Sequence, residues 1–244
     1  MNKNSLSINF AKGWDYFEGN FSIKIANNIL LYCESKDKKI KNALDICCGT
    51  GNYIQTLENR SLKCFGTETE SNFIRYCKNQ IKNPNIKLVR NVFEIPFKET
   101  FDLISCNHSV INSLNNFEEW KILLKNVFKH LSNKGVFVFD FDTKFKLSNI
   151  NETIFKSLKN GDMVFQAKTQ QHEKCTLSYL YYIKENDYMT KIKDVIIESY
   201  YDNNLIINEL KKIGFKNITT LTENFEPVTN LENLEKIVII ASKK

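Results

Sequence analysis

The stretch Asn42-Ala-Leu-Asp-Ile-Cys-Cys-Gly-Thr-Gly51 decides the reading of this chain. A short apolar run, long enough for one strand, ends at two glycines one residue apart, and a helical pattern follows over 52–58. Gly49 and Gly51 are the only two so closely spaced among the eight glycines. Glycine at a strand-to-helix handover lets the backbone turn tightly and lets a ligand approach the main chain. The helix start adds unpaired amides and a partial positive charge. An ordinary strand-to-helix turn and an anion- or nucleoside-binding turn both fit at this point.

Outward from that turn, the alternation repeats. Residues 62–67 read as a strand and 71–81 as a helix ended by Asn83-Pro84. Strands follow at 86–90 and 101–106. The helix at 117–131 places Trp120, Leu123, Leu124, Val127, Phe128 and Leu131 on one face, and Gly135 precedes a fifth strand at 136–141. Short, nearly continuous apolar runs separated by helices mark a parallel sheet covered on both faces. Crossovers in such a sheet are right-handed. With closing strands at 218–221 and 236–241, the expected fold is α/β: a Rossmann-like, doubly wound, mostly parallel seven-stranded sheet. Upstream, only residues 23–32 show a helical period, through Ile25, Ile29 and Leu30.

After Thr143 the texture changes. Segments 163–168, 176–184 and 189–199 read as β, with Glu185-Asn186-Asp187 as a turn, and six of the ten tyrosines fall within 179–201. This predicts a small antiparallel insertion at 145–201 after the fifth strand, between the two parts of the main domain, 1–144 and 202–244. Residues 205–213 return to helix and stop at Gly214.

Composition narrows the function classes. The formal charge of +6 comes from scattered residues, and the densest run, Lys36 to Lys41, is broken by Asp37 and Ile40. That pattern fits a solvated loop and disfavours a nucleic-acid surface. The seven cysteines include no pair with metal or redox spacing, and Cys47 and Cys48 are adjacent, a poor geometry for a disulfide. No metal is expected. With no secretory segment and no run of ~20 apolar residues, a cytoplasmic protein without membrane partners is expected, as monomer or homodimer.

Glu68 stands at the end of the second strand, after Gly66. A carboxylate there can accept both hydroxyls of an adenosine ribose; the alternative is an exposed loop acid. A dinucleotide is disfavoured: the fingerprint needs a third glycine, where this chain has Ile54, and the earlier register puts Cys47 and Asn52 at glycine positions.

Taken in order, these residues resemble the class I S-adenosylmethionine-dependent methyltransferases. Asp45-Ile-Cys-Cys-Gly-Thr-Gly51 is similar to their first motif, departing at Cys47, where that family usually has glycine. The resemblance implies S-adenosylmethionine as cofactor and S-adenosylhomocysteine as product. It implies Asp45 near the methionine ammonium, Gly49 and Gly51 near the methionine and ribose, and Glu68 on the ribose hydroxyls. It further implies Asn91 and the amide of Val92 on the adenine, and Cys106 and Asn107 offering carbonyls after the fourth strand. Phe10-Ala11 with Trp14-Asp15 looks like the opening of bacterial small-molecule enzymes, glycine N-methyltransferase-like and aminosugar N-methyltransferase-like. There a tyrosine closes over the cofactor; here Trp14, with Tyr16 nearby, takes that place. Residues 1–40 would then form a helical lid, and 145–201 would cover an acceptor pocket.

On the acceptor side, Asn112 in the segment after the fourth strand belongs to the resemblance, while Asp140 and Asp142 end the fifth strand and can hold an ammonium or cap the next segment. His172 in the insertion is a further candidate. His108, just after the fourth strand, is the candidate base, because an imidazole near pKa ~6.5 takes a proton at neutral pH. Its alternative is a histidine bonded to nearby backbone. The expected activity is methyl transfer to a small-molecule nitrogen or oxygen, amine favoured. A non-catalytic S-adenosylmethionine-binding protein and an RNA methyltransferase are the alternatives.

Overall fold

A computed structural model describes residues 8–83, 85–149, 153–158, 161–169, 174–185 and 188–244. The chain opens with a long helix, α1 (Ile8–Ser35), and enters the main sheet at β1 (Asn42–Ile46). There follow α2 (Asn52–Glu58), β2 (Lys63–Glu68), α3 (Ser71–Gln80), β3 (Ile86–Leu88), β4 (Phe101–Cys106), a 3₁₀ turn (Val110–Ser113), α4 (Phe117–His130) and β5 (Leu131–Asp142). A short α5 (Lys144–Asn149) leads into β6 (Thr153–Leu158), β7 (Gly161–Thr169), β8 (Lys174–Glu185) and β9 (Tyr188–Ser199). The chain then returns through α6 (Asn203–Ile213), β10 (Lys216–Leu221) and β11 (Lys236–Ser242).

The main sheet has seven strands in the order β10-β11-β5-β4-β1-β2-β3. Strands β1 to β5 run parallel, and β11 pairs antiparallel with both β5 and β10. The insertion is a separate four-stranded antiparallel sheet, β6-β7-β8-β9. Both sheets match the expected class. The insertion gains a strand, β6, and the preceding α5, neither of which had a readable period.

Side chains alternate across the sheet as strand geometry requires. Leu44 and Ile46 of β1, with Phe137, Phe139 and Phe141 of β5, pack toward α4 and α6; Ala43, Val136 and Val138 pack toward α1 and α2. The phenylalanines of β5 form a stack, with ring centroids 4.8 Å apart for Phe137–Phe139 and 6.1 Å for Phe139–Phe141. Trp120 of α4 is fully buried against Phe141. Each such side chain contributes roughly 1.5–3 kcal/mol by leaving water. α4 is set in place by Asn116, whose Oδ1 accepts the Glu119 N–H at 3.0 Å. The seven cysteines are free, six buried and Cys47 half-buried. Burial pushes the Cys33 thiol up to about 11 and the Cys64 thiol up to about 12.

α1 is far longer than the 23–32 segment whose period is legible. Gly13 and Gly19 sit in its first half, and each lowers helix propensity by about 1 kcal/mol relative to alanine. Packing reverses that preference. Phe10 and Ala11 are buried, and a Cβ at Gly19 would stand 3.0 Å from the Asn52 side chain at the start of α2. Close approach between α1 and α2 uses the missing side chain.

The order of strands reverses between β1 and β4, so the loops after these strands part and leave a crevice at their carboxyl ends. Gly51 holds one wall with φ +91°, and an added Cβ there would meet Cys77 Sγ at 2.6 Å and Ile81 Cδ1 at 2.9 Å. At Gly49, φ is +56° but a Cβ would only touch Phe73 at 3.7 Å. Gly51→Ala is therefore expected to lose about 2–4 kcal/mol, combining left-handed strain and overpacking. Gly49→Ala is expected to lose about 1–2 kcal/mol. Chemical denaturation of both variants checks the order; equal losses would refute it.

Candidate functional site

The turn after β1 has three residues in left-handed backbone: Cys47 (φ +56°), Gly49 (+56°) and Gly51 (+91°). Cys47 occupies the position where the motif ordinarily has glycine, and its conformation explains that preference: a Cβ there costs roughly 1–2 kcal/mol. The turn is tied to β2 by the Cys48 N–H, which donates to the Thr67 carbonyl at 2.9 Å. The Gly49 N–H donates to Glu68 Oε2 at 2.9 Å, while Glu68 Oε1 accepts the Thr69 and Glu70 amides at 2.7 and 3.0 Å. Glu68 is thus buried beside the glycine turn and is not an exposed loop acid. Burial raises its pKa, and the three amides oppose that rise.

Asp45 is buried at the end of β1 and accepts a 2.8 Å hydrogen bond from Ser105 Oγ on β4. Burial raises its carboxyl to about 8; Ser105 pulls it down, and the charges of Glu68 and Asp140 push it further up. Cys106 ends β4 fully buried, and Asn107 follows it. Two buried polar atoms near these strand ends, Asn107 Nδ2 and Thr67 Oγ1, have no hydrogen-bond partner among the described residues. Buried polar groups rarely stay unpaired. Together with the open side of Gly49, these atoms fit a polar ligand such as S-adenosylmethionine.

α1 crosses this edge. Phe10 packs on Phe73 (5.8 Å) and on Trp14 (6.0 Å), and Trp14 meets the His108 ring edge-on at 5.7 Å. Phe21 contacts the same imidazole at 5.3 Å, and Ser22 Oγ lies 2.7 Å from its Nε2. Asp15 fastens the helix to its neighbours, accepting from Asn52 Nδ2 of α2 and from the Tyr76 hydroxyl of α3 at 3.0 Å. Burial lowers His108 to about 4, with Asp140 opposing and Lys236 assisting. An imidazole so placed is a weak proton acceptor while α1 lies over it, which weighs against the expected base. Its ring partner is the Ser22 side chain of α1.

Below His108 lies a buried ionic cluster. His108 and Ser109 both take positive φ, +60° and +55°, a conformation unfavourable for residues with a Cβ. Asp140 holds them there: its Oδ2 accepts the His108 N–H at 3.0 Å, and its Oδ1 accepts the Ser109 N–H. Lys236 of β11 sits between the two acids, with Nζ 3.5 Å from Asp140 Oδ1 and 2.8 Å from Asp142 Oδ1. Lys146 of α5 adds a 2.7 Å contact to Asp142 Oδ2. Burial alone would raise Asp142, but Lys236 and Lys146 hold it down at about 2.

The other expected site residues scatter. Asn112 is fully buried; its Nδ2 donates to the carbonyls of Asp142 (3.0 Å) and Ser199 (2.9 Å), and its Oδ1 accepts the Asp142 N–H. Both amide hydrogens are engaged, so Asn112 joins the insertion to β5 instead of facing an acceptor. Asp140, expected as an acceptor anchor, already serves an internal ammonium. Asn91 is exposed and donates to Glu94 Oε1 at 3.0 Å, and Val92 is half-buried against the core. Tyr16 is 44% exposed, on a different side of α1 from Trp14. His172 lies outside the described residues.

Sequence reasoning placed Asp15 in the opening motif without a role and missed Ser22, Ser105 and Lys236. Only Lys236 had a readable signal: a cation heading an apolar strand, which the antiparallel register sets directly opposite Asp142. Among the described residues no cluster could hold a metal ion, and no helix is long and apolar enough to cross a membrane.

Residues 44–139 match the family described as Methyltransferase domain. No curated protein matches the chain. Among solved structures, it is similar to an S-adenosylmethionine-dependent methyltransferase from Clostridium acetobutylicum (TM-score 0.83, 19% identity, covering 96% of this chain and 97% of that one). It is also similar to a sugar N-methyltransferase from a Streptoalloteichus species (0.73, 12%, 100% and 96%). A third is an amino pentose methyltransferase from Micromonospora echinaspora, solved with S-adenosylmethionine bound (0.70, 14%, 89% and 90%).

The depressed His108 titration carries a stability consequence. The folded state binds fewer protons than the unfolded state below about 6.5, so stability is full above that pH and is lost as pH falls toward 4. The loss attributable to this group approaches roughly 3 kcal/mol. Denaturation midpoints should fall more steeply over this window in the wild type than in His108→Asn; parallel slopes would refute the assignment.

Proposed function

We propose that this chain is a class I S-adenosylmethionine-dependent methyltransferase that methylates a small-molecule acceptor, an amine nitrogen in preference to an oxygen; the match of residues 44–139 to a methyltransferase domain supports this reading. The observation that carries this reading is the Glu68 carboxylate pinned against the Gly49 amide. A sugar-binding acid and a glycine turn then share one crevice. The acceptor class draws support from the names of the solved neighbours, which include enzymes acting on sugar amines.

In this reading Asp45 receives the methionine ammonium, and Gly49 and Gly51 admit the methionine and ribose close to the main chain. Glu68 takes the ribose hydroxyls, Asn91 and the Val92 amide meet the adenine, and Cys106 and Asn107 contribute carbonyls. The acids of the crevice favour a cation: Asp45 is raised partly by the Glu68 and Asp140 charges, and a bound ammonium relieves that repulsion. α1 acts as the lid, with Trp14 on its inner face, and the insertion covers the acceptor.

S-adenosylmethionine supplies a sulfonium methyl group that an acceptor lone pair displaces in line, with a neutral thioether leaving. The protein's part is chiefly to orient and to exclude water. Orientation supplies ~7–11 kcal/mol of barrier lowering, whereas a general base supplies ~3–5 kcal/mol. A histidine lowered to about 4 agrees with that ranking.

Isothermal calorimetry with S-adenosylmethionine tests the assignment. Glu68→Ala is expected to weaken binding at least about tenfold, since each charged hydrogen bond is worth ~1.5–3 kcal/mol. Unchanged affinity in a folded variant would remove Glu68 from the site. Binding without methyl transfer to any metabolite, or retention on RNA with steep salt dependence, would favour the non-catalytic or the RNA alternative.

A further inference from the structure

β9 ends in a burial change. Val195 and Ile197 are 47% and 54% exposed, whereas Glu198 is 7% exposed. The chain is drawn inward there by Asn112, which clamps the Ser199 carbonyl to the Asp142 carbonyl. Glu198 is thereby carried to the ionic cluster at the carboxyl end of β5, within electrostatic range of Asp142, Lys236, Lys146 and Asp140. Its Oε2 is buried and has no hydrogen-bond partner among the described residues.

A charge count sharpens the point. Three carboxylates (Asp140, Asp142 and Glu198) stand against two ammoniums, Lys236 and Lys146. Both ammoniums contact Asp142, and Lys236 also reaches Asp140. His108, beside Asp140, is neutral. Among the described residues one negative charge is left over, on the group whose oxygen lacks a partner. A buried carboxylate in that state must hold a proton or meet a cation.

Resting on the methyltransferase reading above, we propose that Glu198 is the acceptor-side carboxylate, which receives the ammonium of an amine acceptor and takes one proton from it. An N–H bond breaks, an O–H bond forms at Glu198, and the electron pair stays on nitrogen, ready for attack. The proton returns to water after the product leaves. The groups facing Glu198 set its readiness. Burial and then Asp142 raise it to about 8, Lys236 and Lys146 oppose, and Asp140 adds to the rise. Below about pH 8 Glu198 already holds a proton and cannot accept another, so amine affinity falls as pH falls. An arriving ammonium shifts that limb to lower pH.

The test uses the full chain loaded with S-adenosylhomocysteine, titrated with glucosamine and benzylamine and with their hydroxyl counterparts, glucose and benzyl alcohol. Calorimetry in buffers of different ionisation enthalpy reads affinity and proton release together. The wild type is expected to bind an amine over its counterpart. Glu198→Gln, which mimics the protonated acid, is expected to weaken amine binding about tenfold or more and to abolish the acid limb. Its affinity for S-adenosylhomocysteine should equal that of wild type, which also shows the variant to be folded, and Glu198→Asp should recover part of the amine affinity. Equal amine affinity and equal pH profiles in wild type and Glu198→Gln would overturn the proposal, as would absent amine binding or a preference for the hydroxyl compounds. Failure of the wild type to bind S-adenosylhomocysteine would instead overturn the underlying reading.

Discussion

The Lys236 ammonium, buried between Asp140 and Asp142, couples the one antiparallel neighbour of β5 to the loop that follows β4. Asp140 accepts the His108 and Ser109 amides with that cation beside it. Those two residues can stay in left-handed backbone only because Asp140 holds them. The loop in turn fixes Asn107 at the crevice and Asn112 against the insertion. Removing one partner of such a buried pair ordinarily costs ~3–5 kcal/mol, so the carboxyl edge of the sheet depends on a residue near the end of the chain.

The crevice is built from acids that burial makes reluctant to ionise. Asp45 and Glu68 are both shifted upward, Asp45 partly by the charge of its neighbour. Glu68 meets that cost with three main-chain amides, and Asp45 meets it with Ser105. Covering the crevice falls to α1, which brings Phe10, Trp14, Phe21 and Ser22 over the turn and anchors through Asp15 to two other helices.

Strand-helix alternation and the glycine turn were readable because they obey local periods and local steric rules. So was Glu68, whose place at a strand end follows from counting. What escaped reading depends on distant partners. The first half of α1 has weak propensity and is helical through packing on α2 and α3. β6 and α5 had no distinct period. Asn112 reads as a polar loop residue, yet its neighbours across the fold make it a bridge with both amide hydrogens engaged. Asp140 shows the same effect: a strand-end acid near a pocket suggests a ligand anchor, and only the pairing of β11, which sets Lys236 opposite Asp142 and within 3.5 Å of Asp140, reveals the internal ammonium. For His108, position was legible and basicity was not, since basicity depends on how deeply α1 buries the ring.

Burial of the thiols reaches beyond the site. None of the seven cysteines is exposed; burial holds the thiols of Cys33, Cys47, Cys64 and Cys106, and a hydrogen bond with Cys77 together with burial holds that of Cys48, well above the range in which thiolates form at neutral pH. Slow reaction of the native protein with maleimides and other alkylating labels is the expected consequence. A single cysteine introduced on the outer face of α1 would be a selective handle for a fluorophore or spin label, and the native seven could be left in place while the helix is watched.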